Sequence, residues 1–301
     1  MVRLQCRQLN TGHMKILVKL ITGLMARIPL SAALAFGAAL GWIYGSVIRY
    51  HRRDARDALR RSYPEKTERE IRSIINRMYK NLGMNQVEIL RLAGGAIDET
   101  NKRITVVGRE IIDQALQRGK GVMILSAHFG NWDFLPMFAV KQNYPVTIIS
   151  KEIKNKTINA MWMLTRKRFG VNIIPAHNSA RDALRVLRRN ELLGFIFDQN
   201  RPRDAGIFVD FFGRPACTSP GLAMLSAQAQ TPVVPIFIHR TSDGNHVLQV
   251  FPMLEPPPDR EVETVRKATQ EYTKIIEDQI RQYPEQWIWL HRRWKTRPLP
   301  G

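Results

Sequence analysis

Cysteine is nearly missing from this chain: Cys6 and Cys217 are the two present in 301 residues. Two thiols that far apart exclude a disulfide framework and a cysteine-built zinc site, and they suit a reducing, cytosol-facing compartment. No low-complexity tract occurs, and the histidines show no His-x3-His or similar paired spacing of a metal site. Acidic residues are scarce, 26 against 46 Lys and Arg, which leaves a formal charge of +20. Such an excess calls for an anionic partner: nucleic acid, anionic lipid or an acidic protein. Zinc-finger, helix-turn-helix and ribonucleoprotein patterns are all lacking, which argues against nucleic acid.

The chain does contain enough apolar residue, 44%, for one large domain with an N-terminal appendage. Ile28 to Ile48 carries no charged side chain. As a helix it reaches roughly 31 Å, close to the hydrocarbon thickness of a bilayer. Spanning and a re-entrant or interfacial hairpin are both open, whereas a cleaved signal peptide is disfavoured by the late start of the run. Met14 reads as a natural start, which makes residues 1–13 an extension. Beyond the apolar run, Arg49, Arg53, Arg56 and Arg60 fall on one helical face. That stripe suits anionic headgroups and keeps the downstream domain in the cytoplasm. Residues 14–60 are thus expected to form a membrane anchor and basic helix, and residues 61–301 a catalytic domain. A second helix is expected over Glu68 to Leu92, with Pro64-Glu-Lys-Thr67 leading into it.

From Ile104 strands alternate with helices. Apolar strands are expected near Val122–Leu125, Val146–Ile149, Val171–Ile174, Leu193–Phe197, Val233–Ile238 and Val247–Phe251. Helices are expected near Trp132–Lys141, Lys156–Phe169, Ser179–Arg189, Pro220–Ala229 and Glu261–Gln282. The pattern is α/β: a mostly parallel central sheet flanked by helices, with an N-terminal membrane-associated helix. Trp287, Trp289 and Trp294 among cations near the end fit either a membrane interface or packing against the sheet.

One run carries chemistry. Gly121-Val-Met-Ile-Leu-Ser-Ala-His128-Phe-Gly-Asn-Trp-Asp133 delivers a histidine, a glycine turn and a carboxylate at a strand end, where catalytic groups of α/β folds gather. On a regular helix His128 and Asp133 would diverge by roughly 140°. Gly130 permits the fold-back that lets the carboxylate fix the imidazole tautomer, leaving the other nitrogen to take a proton from a hydroxyl. At a second strand end lies Asp198-Gln-Asn-Arg201, with Arg203 beyond. Thr218-Ser-Pro-Gly221 opens a helix, with Thr218 as N-cap and free amides for an anion. Val234-Pro235 lies in a later strand, which ends at His239-Arg240.

These residues resemble the lysophospholipid acyltransferase superfamily, whose His-x4-Asp signature is matched by His128 and Asp133. Its Glu-Gly-Thr-Arg element is met only in outline by Asp198-Gln-Asn-Arg201, since Asp replaces Glu and Gly-Thr is missing. More narrowly, the chain resembles the late acyltransferases of lipid A biosynthesis over nearly its whole length after Met14. The match rests on Tyr63-Pro-Glu65, Asn81-Leu-Gly83 with Glu88, Ala127-His-Phe-Gly-Asn-Trp-Asp133, Asp198-Gln199, Phe211-Phe-Gly213 with Thr218, and Trp287-Ile-Trp-Leu-His-Arg-Arg-Trp294.

The resemblance implies an inner-membrane enzyme facing the cytoplasm. It would move a fatty acyl chain from an acyl carrier protein thioester to a hydroxyl of a lipid A precursor, without cofactor, metal or covalent intermediate. His128 is then the general base, Asp133 orients it, and Asp198 assists the base or positions an arginine. Amides near Phe129 to Asn131 are candidates for holding the oxyanion. Arg166, Arg181, Arg201 and Arg203 are candidates for the phosphates of the glycolipid acceptor. The acidic carrier protein and the anionic lipid would both be drawn by the positive charge. A glycerophospholipid or phosphatidylinositol mannoside acyltransferase is the alternative. A metal site from His128, Asp133, His177 and Asp198 is the rival chemistry, and His177, His239 and His291 otherwise read as structural.

Overall fold

The computed structural model describes residues 12–152, 156–177 and 179–299. Most of the expected 1–13 extension therefore lies outside the described residues. The strands are β1 (Ile104–Val107), β2 (Val122–Ser126), β3 (Val146–Ser150), β4 (Asn172–Pro175), β5 (Leu192–Ile196), β6 (Ile207–Asp210), β7 (Pro215–Thr218), β8 (Val233–Arg240) and β9 (His246–Val250). Seven of them form one sheet in the order β1-β9-β8-β2-β5-β3-β4. All neighbours in it are parallel except the β8/β9 hairpin. β6 and β7 make a separate antiparallel ribbon; like β1, these two short strands give no clear signal in the apolar pattern.

The helices are α1 (Gly12–Arg27), α2 (Leu30–Trp42), α3 (Arg52–Ser62), α4 (Glu68–Ala93), α5 (Ile97–Lys102), α6 (Arg109–Gln117), α7 (Phe134–Lys141), α8 (Lys156–Arg168), α9 (Ala180–Arg188), α10 (Gly221–Ala229) and α11 (Val262–Gln282). β2 and β8 are buried along their whole length, as expected of central strands covered on both faces. Their alternating side chains feed two apolar layers. One gathers Ile112, Val122, Ile124, Phe134 and Ile236, and the other Met123, Leu125, Leu187, Leu222 and Tyr272. Helix α4 starts at a reciprocal cap: Thr67 Oγ1 accepts from the Glu70 amide, and the Glu70 carboxylate accepts from the Thr67 amide at 2.8 Å.

The apolar run starts at Leu30, after Pro29, and continues through a widened turn at Ile43–Val47. By length and composition Leu30–Val47 is long enough to cross a membrane. It lies against the globular domain along one edge. Ala33, Gly37, Gly41 and Gly45 recur every fourth residue and are buried. Their bare backbone lets α4 approach so closely that a Cβ on Gly41 would sit 2.0 Å from the Tyr79 carbonyl oxygen. Helix α1 is tied to α4 as well: the buried Arg91 guanidinium donates to the Met25 carbonyl at 2.7 Å and to that of Ile28. The outward face shows Ile16, Leu20, Leu24, Phe36, Leu40, Trp42 and Val47, all exposed.

Replacing Gly41 with leucine is expected to push α2 off α4, costing about 1–3 kcal/mol of stability by overpacking. A melting curve in detergent that matches the wild type would contradict this close contact.

The arginine stripe is shorter than expected. Helix α3 starts at Arg52, and Arg49 precedes it with a φ of 57°. Arg53, Arg56 and Arg60 thus lie on the helix without Arg49; Arg56 and Arg60 both pair with Glu68 at the start of α4, and all four are exposed.

Candidate active site

Strands β2 and β5 run parallel with Ser126 opposite Ile196. Two residues further on the sheet has ended, and His128 and Asp198 stand side by side. The His128 Nδ1–H donates to Asp198 Oδ1 at 2.8 Å, and the His128 main-chain N–H donates to Oδ2 at 3.0 Å. The Trp287 indole N–H also donates to Oδ2, at 2.7 Å. An ionised carboxylate can only accept, so the ring proton belongs on Nδ1 and Nε2 carries the free lone pair. Asp198 is fully enclosed, whereas the His128 side chain keeps 18% of its surface open.

The carboxylate that engages the His128 ring is therefore Asp198 rather than Asp133. Asp133 sits in front of α7 and is buried, its Oδ1 accepting from Arg166 Nη2 at 2.7 Å. It acts on His128 through charge alone. The turn between them is held by Gly130, whose φ of 56° favours glycine and where a Cβ would fall 1.8 Å from the Ile238 carbonyl oxygen.

Burial alone would lower the His128 pKa; the charge of Asp198, its hydrogen bond and the more distant Asp133 outweigh this and raise it above 6.5. Burial works against the Asp198 charge too, but His128, His291 and the Trp287 donor hold it well below the usual carboxylate range. Burial pushes the Asp133 carboxyl up, against the pull of Arg166.

The four arginines part company. Arg166 is 9% exposed, held by Asp133, and its guanidinium lies 5.0 Å from the Trp162 ring. It is thus an internal charge, not an open phosphate contact, although its Nε has no partner among the described residues. Arg201 is exposed at the rim of the cleft beside His128. Arg203 is exposed and donates to the Arg297 carbonyl at 2.7 Å. Arg181 is exposed on α9, outside that cleft lining.

Two of the candidate amides for an oxyanion are engaged: Phe129 N–H donates to the Ala127 carbonyl at 2.7 Å and Gly130 N–H to that of Gln286 at 2.9 Å. Thr218 ends β7, buried, accepting from Arg293 and donating to the Ala216 carbonyl at 3.0 Å. It does not cap α10, which starts at Gly221 without a side-chain cap.

His291 and Trp287, which the sequence pattern marks only as structural or interfacial, both belong to the site. The His291 ring lies 4.8 Å from that of His128, and burial followed by the His128 charge lowers its pKa to about 4. His128, Asp198 and His291 bring possible ligand atoms within 4.8 Å of one another. His128 Nδ1–H already donates to Asp198 Oδ1 at 2.8 Å, which fits a hydrogen-bonded pair better than a metal's ligand set. His177 is exposed in a turn after β4, apart from this cluster, and His239 is buried, stacked on Tyr283 at 4.3 Å.

Next to His128 opens a cleft of about 730 Å³. One wall is the sheet surface of Ile124, Ser126, Val146, Ile148, Leu192, Gly194 and Ile236; another is α7, through Leu135, Pro136, Phe138 and Ala139. Ser126 and Arg166 are among its lining residues, and each holds an enclosed polar atom without a partner among the described residues, Ser126 Oγ and Arg166 Nε. The arrangement is a proton acceptor at the mouth of a long apolar slot. It suits work on the polar end of a greasy molecule.

A lipid A biosynthesis acyltransferase of Haemophilus influenzae is 25% identical over 275 residues, covering 91% of this chain and 85% of that protein. The lipid A biosynthesis lauroyltransferase of Escherichia coli is 25% identical over 286 residues, with 91% and 89% covered. A phosphatidylinositol mannoside acyltransferase of Mycolicibacterium smegmatis is 22% identical over 301 residues, with 90% and 95% covered. Residues 5–296 match the family described as bacterial lipid A biosynthesis acyltransferase. This chain belongs to that family of acyl-transferring enzymes.

Proposed function

We propose that the enzyme transfers a fatty acyl chain from an acyl carrier protein thioester to a hydroxyl of a lipid A precursor, at the cytoplasmic face of the inner membrane. The observation that carries this reading is the His128–Asp198 pair at the mouth of the apolar cleft. His128 Nε2 takes the acceptor's hydroxyl proton while the oxygen attacks the thioester carbonyl. The tetrahedral intermediate then collapses as the carbon–sulfur bond breaks, and the imidazolium returns its proton to the departing sulfur. A thiol pKa near ~8.5 makes that departure easy, so neither a cofactor nor a covalent enzyme intermediate is needed.

Arg201 at the rim suits the acceptor's phosphates, and the charge of +20 draws both the acidic carrier and the anionic lipid. The exposed apolar face of α1 and α2, followed by the arginine stripe, suits an enzyme held on the membrane. The mannoside acyltransferase likeness keeps a second acceptor class in view.

The test is mass spectrometry of lipids made by the purified protein from acyl carrier protein thioesters and a tetra-acylated lipid A precursor, with glycerol phosphate and a phosphatidylinositol mannoside competing. Acyl transfer to the lipid A precursor is expected. Exclusive acylation of either competitor would overturn the acceptor, and no ester product at all would overturn the reaction.

A further inference from the structure

Where the apolar run gives way to α3 there is a second hollow, which shares no lining residue with the catalytic cleft. It encloses about 670 Å³, roughly twenty times a water's ~30 Å³ share of liquid volume, and so has room for more than a bare ion. Four guanidiniums line it, from Arg49, Arg52, Arg53 and Arg56, together with His51 and one carboxylate, Asp54.

That carboxylate is already engaged: Asp54 Oδ2 lies 2.6 Å from His51 Nδ1 and accepts from Arg292 Nε at 3.2 Å. The arginines are less well served. Arg56 pairs with Glu68 at 2.7 Å. Among the described residues Arg49 reaches only the Ser46 carbonyl, at 3.4 Å, and Arg52 donates to the Gly45 carbonyl at 3.1 Å and to Asn76 Oδ1 at 2.7 Å. Arg53 has no hydrogen-bond or ion-pair partner among them. Three cations round one hollow, none with a carboxylate of its own, favour an anion between them.

The surroundings narrow the choice of anion. Trp42, Ile43, Val47 and Ile48, the last residues before the hollow, are apolar and exposed. Acyl chains laid along that face bring a lipid's phosphate to the level of Arg49. A headgroup with its own ammonium would set that cation against the arginines, and a net-anionic headgroup would not. The backbone is also held in place for the purpose: Arg49 and His51 keep left-handed φ of 57° and 50°, which non-glycine residues adopt at a cost and which recurs where ligands are clamped.

We infer that this hollow binds the phosphate of a net-anionic membrane phospholipid, separately from the acceptor and the catalytic cleft. The inference rests on the reading of α1 and α2 as membrane-facing, not on the acyl-transfer chemistry.

The experiment titrates the full-length enzyme, in a nonionic detergent, with dihexanoylphosphatidylglycerol, dihexanoylphosphatidylcholine and inorganic phosphate, and reads each Kd by calorimetry. The phosphatidylglycerol should bind roughly tenfold or more tightly than either of the others, the worth of one charge-assisted hydrogen bond. Arg49→Gln with Arg53→Gln should abolish that preference. Arg185→Gln with Arg188→Gln, an equal loss of charge at exposed positions of α9, should keep it. Equal affinity for the two lipids, a preference that survives Arg49→Gln with Arg53→Gln, or an equal loss in the α9 variant overturns the site. Inorganic phosphate that binds as tightly as the phosphatidylglycerol overturns the lipid as its ligand. Loss of acyl carrier protein binding in Arg49→Gln with Arg53→Gln, with the lipid preference intact, would give this surface to the carrier instead. Release of the wild type from membranes by a high-salt wash would overturn the membrane-facing reading itself, and this site with it.

Discussion

Replacing His128 with alanine is expected to lower the transfer rate by about 10²–10⁴, the contribution of general-base catalysis. The loss should fall on kcat, because the apolar slot and Arg201 at its rim are untouched. The pH dependence then identifies the group. Only the neutral ring can accept the hydroxyl proton, so the rate should climb with pH through the His128 pKa, which the Asp198 charge and hydrogen bond set above 6.5. Asp198→Asn removes that charge and leaves burial to act, so the midpoint of the rising limb should fall below 6.5. The same substitution also lets an amide N–H face Nδ1, which favours the wrong tautomer, and kcat should fall with it. Near-normal transfer by the alanine variant with membrane binding intact would remove His128 from the reaction. A midpoint unmoved in Asp198→Asn would remove Asp198 as its partner.

That partnership shows what local sequence conveys and what it hides. Strands β2 and β5 were legible as short apolar runs, and both His128 and Asp198 were visible as polar residues at their ends. Which carboxylate meets the ring was not. Spacing along the chain favours Asp133, five residues away, but the parallel register carries Asp198 to the same level from 70 residues away, and the tight turn at Gly130 sends Asp133 towards Arg166. Trp287 and His291 were hidden for the same reason. They reach the site because the segment after α11 lies across the His128 turn, with Ile288 N–H on the His128 carbonyl at 3.3 Å. Composition describes such a segment only as aromatic and basic. In α2 the apolar character was plain, and it obscured the four small residues that dock the helix on α4. Strand β1 and the β6/β7 ribbon, four residues each, are too short for periodicity to register.

The second large effect is expected at Glu88, a buried carboxylate on α4 that the site depends on from behind. Glu88 is 2% exposed. Its oxygens accept from Arg240 Nη1 at 2.8 Å and Nη2 at 2.6 Å, and from Asn131 Nδ2 at 2.9 Å, while His246 Nε2 lies 3.0 Å away. Asn131 belongs to the catalytic turn, and Asn85, one turn before Glu88, donates to the Gly130 carbonyl at 2.6 Å. Helix α4 therefore braces the turn that presents His128 while its middle, around Tyr79 and Gly83, receives α2. Removing one partner of a buried ion pair strands the other's charge and costs about 3–5 kcal/mol. Glu88→Leu is accordingly expected to lower Tm by roughly ten degrees, and Glu88→Leu with Arg240→Leu to recover part of the loss, since of the two guanidiniums on Glu88 only the more open Arg103, 3.3 Å from Oε1, is then left without it. Burial opposes the Glu88 charge, but Arg240 and then His246 hold its pKa below the ordinary 4.5. A depressed carboxylate contributes stability in full above its unfolded value and loses it as pH falls through the folded one. The wild type should thus lose stability as pH drops below about 4.5, and Glu88→Leu should lack that component of the fall. Equal melting temperatures at neutral pH, or parallel acid curves for the two proteins, would mean that the cluster is not what holds the turn in place.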